Sequence, residues 1–184
     1  MDSLKPSAMS SSKLDPAQAA AAAQFDRQSD RYGKSHILAD TADVAAGLAG
    51  VVVPPGGAAL DVATGGGHTA LFLARQGWRV TAGDIAPRML ENASRLAAEA
   101  GFKIETRQFP AEEMPFAAGA FHLVTVRVAP HHFSSPPRFV AEVARVLAAV
   151  RTAPGHVRAA LRLGEEDGKV VWWWPRLTLL ARKS

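Results

Sequence analysis

Two acids and a run of glycines could do chemistry together in this chain. Asp61 lies near the end of one apolar run, Gly65-Gly66-Gly67 follow, and Asp84 closes the next apolar run, residues 78–83. Glycines let a backbone approach a ligand with no Cβ in the way. A helix starting just after them offers free N–H groups to partial negative charge. An acid at the end of the following strand can accept hydrogen bonds from two ribose hydroxyls. Strand, glycine turn, helix, strand and acid, in that order, hold a nucleotide-like cofactor. The blander readings are an ordinary tight turn at 65–67, a structural role for Asp61 on loop amides, and Asp84 as the cap of the next helix.

Gly65-Gly66-Gly67-His68-Thr69-Ala70 also satisfies the dinucleotide pattern G-x-G-x-x-A. That keeps an NAD(P)-binding oxidoreductase as an alternative. Asp61, four residues before the first glycine, argues the other way. A buried acid is costly unless paired, and a pyrophosphate nearby would repel it. A ligand bearing an ammonium group would compensate it. S-adenosylmethionine (SAM) carries that ammonium and has no phosphates.

The elements that must position these residues alternate. Residues 58–63 read as a strand, 69–76 as a helix, 79–84 as a strand and 87–100 as a helix with Pro87 in its first turn. Residues 103–108 and 120–128 read as further strands. Residues 137–150 read as a helix with Phe139, Val140, Val143, Val146 and Leu147 on one face. Before this core, residues 1–17 are Ser-, Lys- and Pro-rich and read as a disordered tail. An alanine run at 17–24 favours helix, and 25–50 reads as helical in two pieces separated near Gly33. After the core, 156–163 reads as helix and 164–168 as a turn. Residues 169–174 and 177–182 read as an antiparallel hairpin. The expected fold is α/β: a Rossmann-like, mostly parallel sheet with helices on both faces and a C-terminal antiparallel hairpin. Right-handed crossovers place the glycine loop and the strand ends along one rim. Residues 18–184 are expected to form one domain: a helical segment at 18–57, a cofactor-binding core at 58–150, and a C-terminal helix and hairpin at 151–184.

Composition narrows the class. The 184 residues are 48% hydrophobic, enough for a buried core, and the formal net charge is +4 from scattered basic residues. No basic stripe indicates nucleic acid as a partner. There is no cysteine, which excludes disulfides, thiolate nucleophiles and Cys-ligated zinc. No apolar run approaches the ~18 residues of a membrane span, and the N-terminus lacks a basic-then-apolar secretory pattern. A cytoplasmic protein with no membrane partner and no metal site is the expectation.

Four blocks in order resemble the class I SAM-dependent methyltransferases, in the broad group that includes the ubiquinone/menaquinone-biosynthesis enzymes. They are Leu-Asp-Val-Ala-Thr-Gly-Gly-Gly-His-Thr at 60–69, Asp-Ile-Ala-Pro-Arg-Met-Leu at 84–90, Ala-Glu-Glu-Met-Pro-Phe at 111–116, and Phe-His-Leu-Val-Thr-Val-Arg-Val-Ala-Pro-His-His-Phe at 121–133. The resemblance implies SAM as cofactor and methyl transfer to a small-molecule acceptor. By position, Asp61, Ala63, Thr64, Gly65 and Gly67 would hold the methionine end of SAM, and Asp84 the ribose. Ile85 and Met89 would flank the adenine, and Ala111 and Glu112 would edge it. Arg127 would begin the loop at the methyl-donor end, and Tyr32 would close over the methionine moiety.

The chain departs from this pattern twice. Pro110 stands where relatives carry an acid that accepts a hydrogen bond from the adenine amino group, a bond of roughly 1.5–3 kcal/mol. After Leu147 the chain reads as if an internal block were absent, and with it a fifth parallel strand. Those departures motivate a second function, a SAM-binding module without turnover. His131-His132 is a candidate general-base pair, weighed against simple packing beside Phe133. Trp172-Trp173-Trp174 is a candidate contact between copies of the chain, weighed against edge-strand packing.

Overall fold

In the computed structural model the described residues are 14–33, 36–147, 163–166, 169–172 and 178–181. Of 30–33, 36–37 and the three stretches after 147, only the backbone path is described. In chain order the elements are α1 (Pro16–Gly33), α2 (His36–Ala39), α3 (Ala42–Gly47), β1 (Ala58–Val62), α4 (His68–Arg75), β2 (Arg79–Asp84) and α5 (Pro87–Glu99). There follow β3 (Glu105–Gln108), β4 (Leu123–Arg127), a 3-10 turn Pro130–His132, α6 (Pro136–Val146), β5 (Leu163–Glu166), β6 (Lys169–Trp172) and β7 (Thr178–Ala181).

β1 is buried along its full length, as befits the middle of a parallel sheet covered on both faces. It pairs with β2 on one side and β4 on the other, and β3 lies outside β2, all parallel. Alternate residues feed two cores. Leu60, Val62, Val124 and Val126 join Phe139, Val143 and Val146 of α6 on one face. Ala59, Val80, Ala82 and Leu123 join Ala70, Leu73 and Ala74 of α4 and Trp78 on the other. This is the expected Rossmann-like architecture, with four parallel strands.

The register carries the chemistry. Asp61 of β1 lies directly opposite Thr125 of β4 and Ala82 of β2. Val62 lies opposite Gly83, so β1 and β2 end side by side. The strand expected at 58–63 stops at Val62 because Ala63 turns into the left-handed region, with φ of 53°.

Several expectations are corrected. The tail assigned to 1–17 ends earlier, because α1 begins at Pro16. Asp15 and Gln18 make a reciprocal capping pair: the Gln18 N–H donates to Asp15 Oδ1 (2.8 Å) and the Asp15 N–H to Gln18 Oε1 (3.0 Å). Residues 1–13 lie outside the described residues. The second helical piece is itself split at Asp40-Thr41, where Asp40 Oδ1 accepts the Ala42 N–H (3.0 Å). β4 begins at Leu123 rather than 120, because Phe121 instead bridges to Leu147 in isolation. β3 begins at Glu105, two residues late.

The C-terminal pairing also differs. Leu163–Glu166 is strand, so the helix expected at 156–163 does not include Leu163 and the turn expected at 164–168 does not include 164–166. The hairpin pairs β5 with β6, Glu166 opposite Lys169. β7 does not pair with β6 but joins β4 antiparallel, Val124 opposite Ala181. That covers an edge β4 would otherwise expose. The position expected for a fifth parallel strand is therefore held by an antiparallel one. Residues 156–162, Trp173 and Trp174 lie outside the described residues, as does the side chain of Trp172.

Gly67 has φ of 87°, and a Cβ there would stand 2.6 Å from the Ala93 Cα of α5. Gly67→Ala is expected to lower stability by about 2 kcal/mol or more, through strained backbone and overpacking together. Urea denaturation with an unchanged m-value would confirm it, and an unchanged midpoint would refute it.

Candidate functional site

A cavity of about 230 Å³ opens at the carboxyl ends of β1, β2 and β4, where open α/β sheets bind ligands. Asp61 reaches its wall from the end of β1, and Asp84 from the end of β2. Ala63, Thr64 and Gly65 line it between them, and Ile85, Met89, Ala111, Glu112, Arg127 and His132 complete the expected set that the fold brings together.

Asp61 is 1% exposed. Its Oδ1 accepts the Thr125 hydroxyl and its Oδ2 the Thr64 hydroxyl, each at 2.7 Å. The cap on loop amides is thus replaced by two side-chain hydroxyls. Burial pushes its carboxyl up to about 6, against the pull of both hydroxyls, and the nearby Asp84 carboxylate adds to the rise. Asp84 Oδ1 accepts the Ala86 N–H and Oδ2 the Gly65 N–H, both at 2.9 Å. Burial raises its carboxyl as well, against those backbone bonds. Thr64 N–H donates to the Gly83 carbonyl (2.9 Å), so the bend is stitched to the end of β2 at two consecutive residues.

Three of the expected residues also have structural contacts within the chain. Gly67 is outside the cavity wall and makes room for α5. The Arg127 side chain is 6% exposed and tied to the N-terminal segment: Nε pairs with Asp43 (2.9 Å), and the terminal nitrogens donate to the Leu38 (2.8 Å) and Asp40 (2.5 Å) carbonyls. Arg127 therefore holds α2 and α3 against the rim. Glu112 Oε1 accepts the Ser134 N–H (2.7 Å), the Ser134 hydroxyl (2.9 Å) and the Ser135 N–H (3.2 Å), which fixes the loop entering α6. Tyr32 lies in α1, and its side chain is outside the described residues.

The histidines separate. His132 lines the cavity and meets Phe25 of α1 edge-on, with ring centroids 5.0 Å apart. His131 is outside the wall, its ring centroid 3.8 Å from that of His132. Partial burial, and then the charge of His131, hold His132 below the usual histidine range, so its imidazole is neutral at pH 7.

Sequence reasoning missed the cover. Ala17, Ala21 and Phe25 of α1 line the cavity at a four-residue spacing, one face of a helix. That spacing was readable, but the alanines register first as helix formers. It also missed Phe109, which lies over Gly83, where a Cβ would run into the ring. No group of three or more potential metal ligands occurs among the described residues. No helix among them is long and apolar enough to cross a membrane.

Comparisons with known proteins agree with this geometry. Residues 60–149 match the family described as "Methyltransferase domain". The chain is 32% identical over 124 residues to the uncharacterized methyltransferase YcgJ of Bacillus subtilis, covering 67% of this chain and 49% of that protein. It is 37% identical over 91 residues to the demethylmenaquinone methyltransferase of Thermus thermophilus, covering 48% of this chain and 41% of that one. The YcgJ crystal structure superposes with a TM-score of 0.55 at 33% identity, covering 60% of this chain and 47% of that chain. The chain thus spans about half the length of these relatives, or less. The match to that family therefore lies within the sheet and helices that form the cavity.

Because Asp61 binds its proton more tightly folded than unfolded, its ionisation works against folding. Stability from this group is full below about pH 4 and declines as pH rises toward 6. Asp61→Asn keeps partners for both hydroxyls and removes that charge. The variant is expected to be more stable than the parent at pH 7.5 and to lose the advantage by pH 4. Paired denaturation curves at the two pH values check this, and a less stable variant at pH 7.5 would refute it.

Proposed function

We propose that this chain binds SAM in the rim cavity and transfers its methyl group to a small-molecule acceptor. The observation that carries the reading is that Asp61 and Asp84 meet one cavity from either side of a glycine bend. Two carboxylates with raised proton affinity suit a ligand bearing a positive charge and hydroxyls. They do not suit a pyrophosphate. The guanidinium in the wall is already bound to Asp43 and two carbonyls, which leaves the NAD(P) alternative without support.

SAM supplies an electrophilic methyl group on a sulfonium whose leaving group is already good. The chain's task is therefore position and a dry pocket, and proximity can account for up to ~7–11 kcal/mol. Asp61 would meet the ammonium, with both oxygens steadied by Thr64 and Thr125. Gly65 and Gly66 let the backbone approach. Asp84 keeps lone pairs for the ribose hydroxyls beyond its two backbone bonds. Ile85, Met89, Phe109 and Ala111 offer an apolar slot for the base. Pro110 offers it no side-chain acceptor. α1 excludes water from above through Ala17, Ala21 and Phe25.

A module that binds SAM without turnover is the second reading. Pro110 and the antiparallel β7 beside β4 favour it. Binding with no transfer to a broad acceptor panel would select it, and measurable transfer would remove it.

Calorimetry with SAM and S-adenosylhomocysteine tests the cofactor, and no heat at millimolar ligand would dismiss it. Since Asp61 must be ionised to meet an ammonium and titrates at about 6, SAM affinity is expected to fall about tenfold from pH 7.5 to pH 5. In Asp61→Asn that slope is expected to vanish and affinity to be low throughout.

A further inference from the structure

We infer that Arg145, on α6 and outside the cavity, is a positioning residue for the nucleoside end of the cofactor site, acting with Glu142 through the loop 109–116. The inference rests on the SAM-binding reading above and adds which part of the chain sets the grip on the base. Arg145, Glu142 and the rest of α6 are outside the cavity wall. The loop contributes Phe109, Ala111 and Glu112 to it.

Little of the loop's own backbone holds it in place. At its start the Phe109 N–H donates to the Asp84 carbonyl (3.1 Å). Two short turns follow, from the Glu113 N–H to the Pro110 carbonyl (3.0 Å) and from the Phe116 N–H to the Met114 carbonyl (2.8 Å). No strand pairs with it among the described residues. The remaining bonds come from both ends of α6. Ser134 and Ser135, just before the helix, bond to Glu112. Near the helix end, Glu142 and Arg145 form an ion pair at 2.7 Å. That pair takes both backbone groups of Met114: the N–H donates to Glu142 Oε2 (2.7 Å), and one terminal nitrogen of Arg145 donates to the carbonyl (2.8 Å). The other terminal nitrogen donates to the Phe116 carbonyl (2.6 Å). A pair of this spacing on a helix surface contributes little by itself. Here its charges are spent on a neighbouring loop. The bond from Arg145, against partial burial and with the help of the Met114 N–H, holds the Glu142 carboxyl below its usual range.

From Phe116 the restraint passes to the cavity through rings. Phe116 stands edge-on to Phe109, with centroids 5.3 Å apart, and edge-on to Phe121 at 4.9 Å. Phe139, Val143 and Val146 anchor α6 on the sheet, so the ion pair refers the loop to the sheet itself. Pro110 presents no side-chain acceptor. The slot of Ile85, Met89, Phe109 and Ala111 must therefore grip a base by shape. Ile85 and Met89 follow the end of β2, whereas Phe109 and Ala111 ride on the loop. The width of such a slot depends on what holds the loop, and Arg145 makes the bonds that do so.

The full chain is titrated by calorimetry with S-adenosylhomocysteine and with 5′-methylthioadenosine, which keeps the nucleoside and lacks the amino-acid end. Arg145→Met is expected to weaken both by the same factor, about tenfold. Arg145→Lys, which keeps the charge and can reach one carbonyl, is expected to restore part of the loss. Glu142→Gln keeps an acceptor for the Met114 N–H and is expected to lose less than Arg145→Met. The fall in SAM affinity between pH 7.5 and pH 5 is expected to persist in all three, because Asp61 is untouched. In methyl NMR of the free chain, the Ala111 signal is expected to move in Arg145→Met and the Ala63 signal to stay, a split that general loosening of the fold would not produce. If Arg145→Met does not fold, Arg145→Lys and Glu142→Gln carry the test by the same measurements. Unchanged affinity in the folded variants, a loss for S-adenosylhomocysteine that 5′-methylthioadenosine does not share, or equal movement of both alanine signals would overturn the inference. So would a parent chain that binds S-adenosylhomocysteine but not 5′-methylthioadenosine. Failure of the parent to bind S-adenosylhomocysteine at all would instead overturn the cofactor reading.

Discussion

A buried carboxylate at the end of the central strand sets the terms for everything around it. Asp61 is held out of water by strands on either side, and it is tolerable there because Thr125 faces it across the β1–β4 register and Thr64 folds back from the loop. Thr64 has a second duty, since its N–H is bound to the Gly83 carbonyl of β2. The next residue, Gly65, is bound to Asp84. A two-residue stretch of loop thus fixes the separation of the two acids. Asp61 cannot move without breaking its bond from Thr125 of β4, nor Asp84 without breaking its bond from the loop at Gly65. Asp84 also disfavours ionisation of Asp61, and Asp26 that of Asp84. The cavity they share is therefore short of positive charge, and a cationic guest relieves it.

The N-terminal segment belongs to this site as much as the strands do. α1 crosses the start of α5, where Asp26 Oδ1 accepts the Arg88 N–H (3.0 Å) just after Pro87. One turn along α1, the Ser29 carbonyl accepts the Asn92 amide (3.2 Å). Phe25 meets His132, and Arg127 pins α2 and α3 from below. Apolar burial adds to these ties: Ala22 of α1 and Val44 of α3 are buried, and Leu48, Val51 and Val53 pack against the core that holds α4 on the sheet.

What the sequence made legible was local. β2 spans Arg79–Asp84 as read, because an apolar run closed by an acid has one natural strand frame. α5 begins at Pro87 as read, because proline favours the first helical position. The face of α6 was visible in the spacing of Phe139, Val143 and Val146, all buried. What escaped depends on distant partners. Nothing near Arg127 in sequence announces that its guanidinium will meet Asp43, 84 residues away. Gly67 satisfies a glycine pattern for ligand approach, yet the nearest obstacle to its Cβ is a helix. In the last stretch β6 and β7 fall in segments read as strand, whereas β5 falls where a helix end and a turn were read; the partners escaped, because strand pairing is set by which edge is left open. The edge of β4 takes β7, while β6 turns back on β5.

Backbone strain marks the same rim. Among the described residues, the non-glycine positions with positive φ are Ala63 at 53° and Val128 at 57°. They follow directly on β1 and β4, and both line the cavity. A residue held left-handed costs roughly 1–3 kcal/mol, and a β-branched valine is a genuine outlier there. Strain of this kind persists where surrounding bonds over-determine the chain. Here the Thr64 N–H bond and the Asp61 hydroxyl bond fix the exit from β1, and the Arg127 guanidinium fixes the exit from β4. In each case the reversed φ turns the chain sharply away at the strand's end and leaves the mouth clear between Asp61 and His132. The strain and the opening are two descriptions of one feature of the backbone.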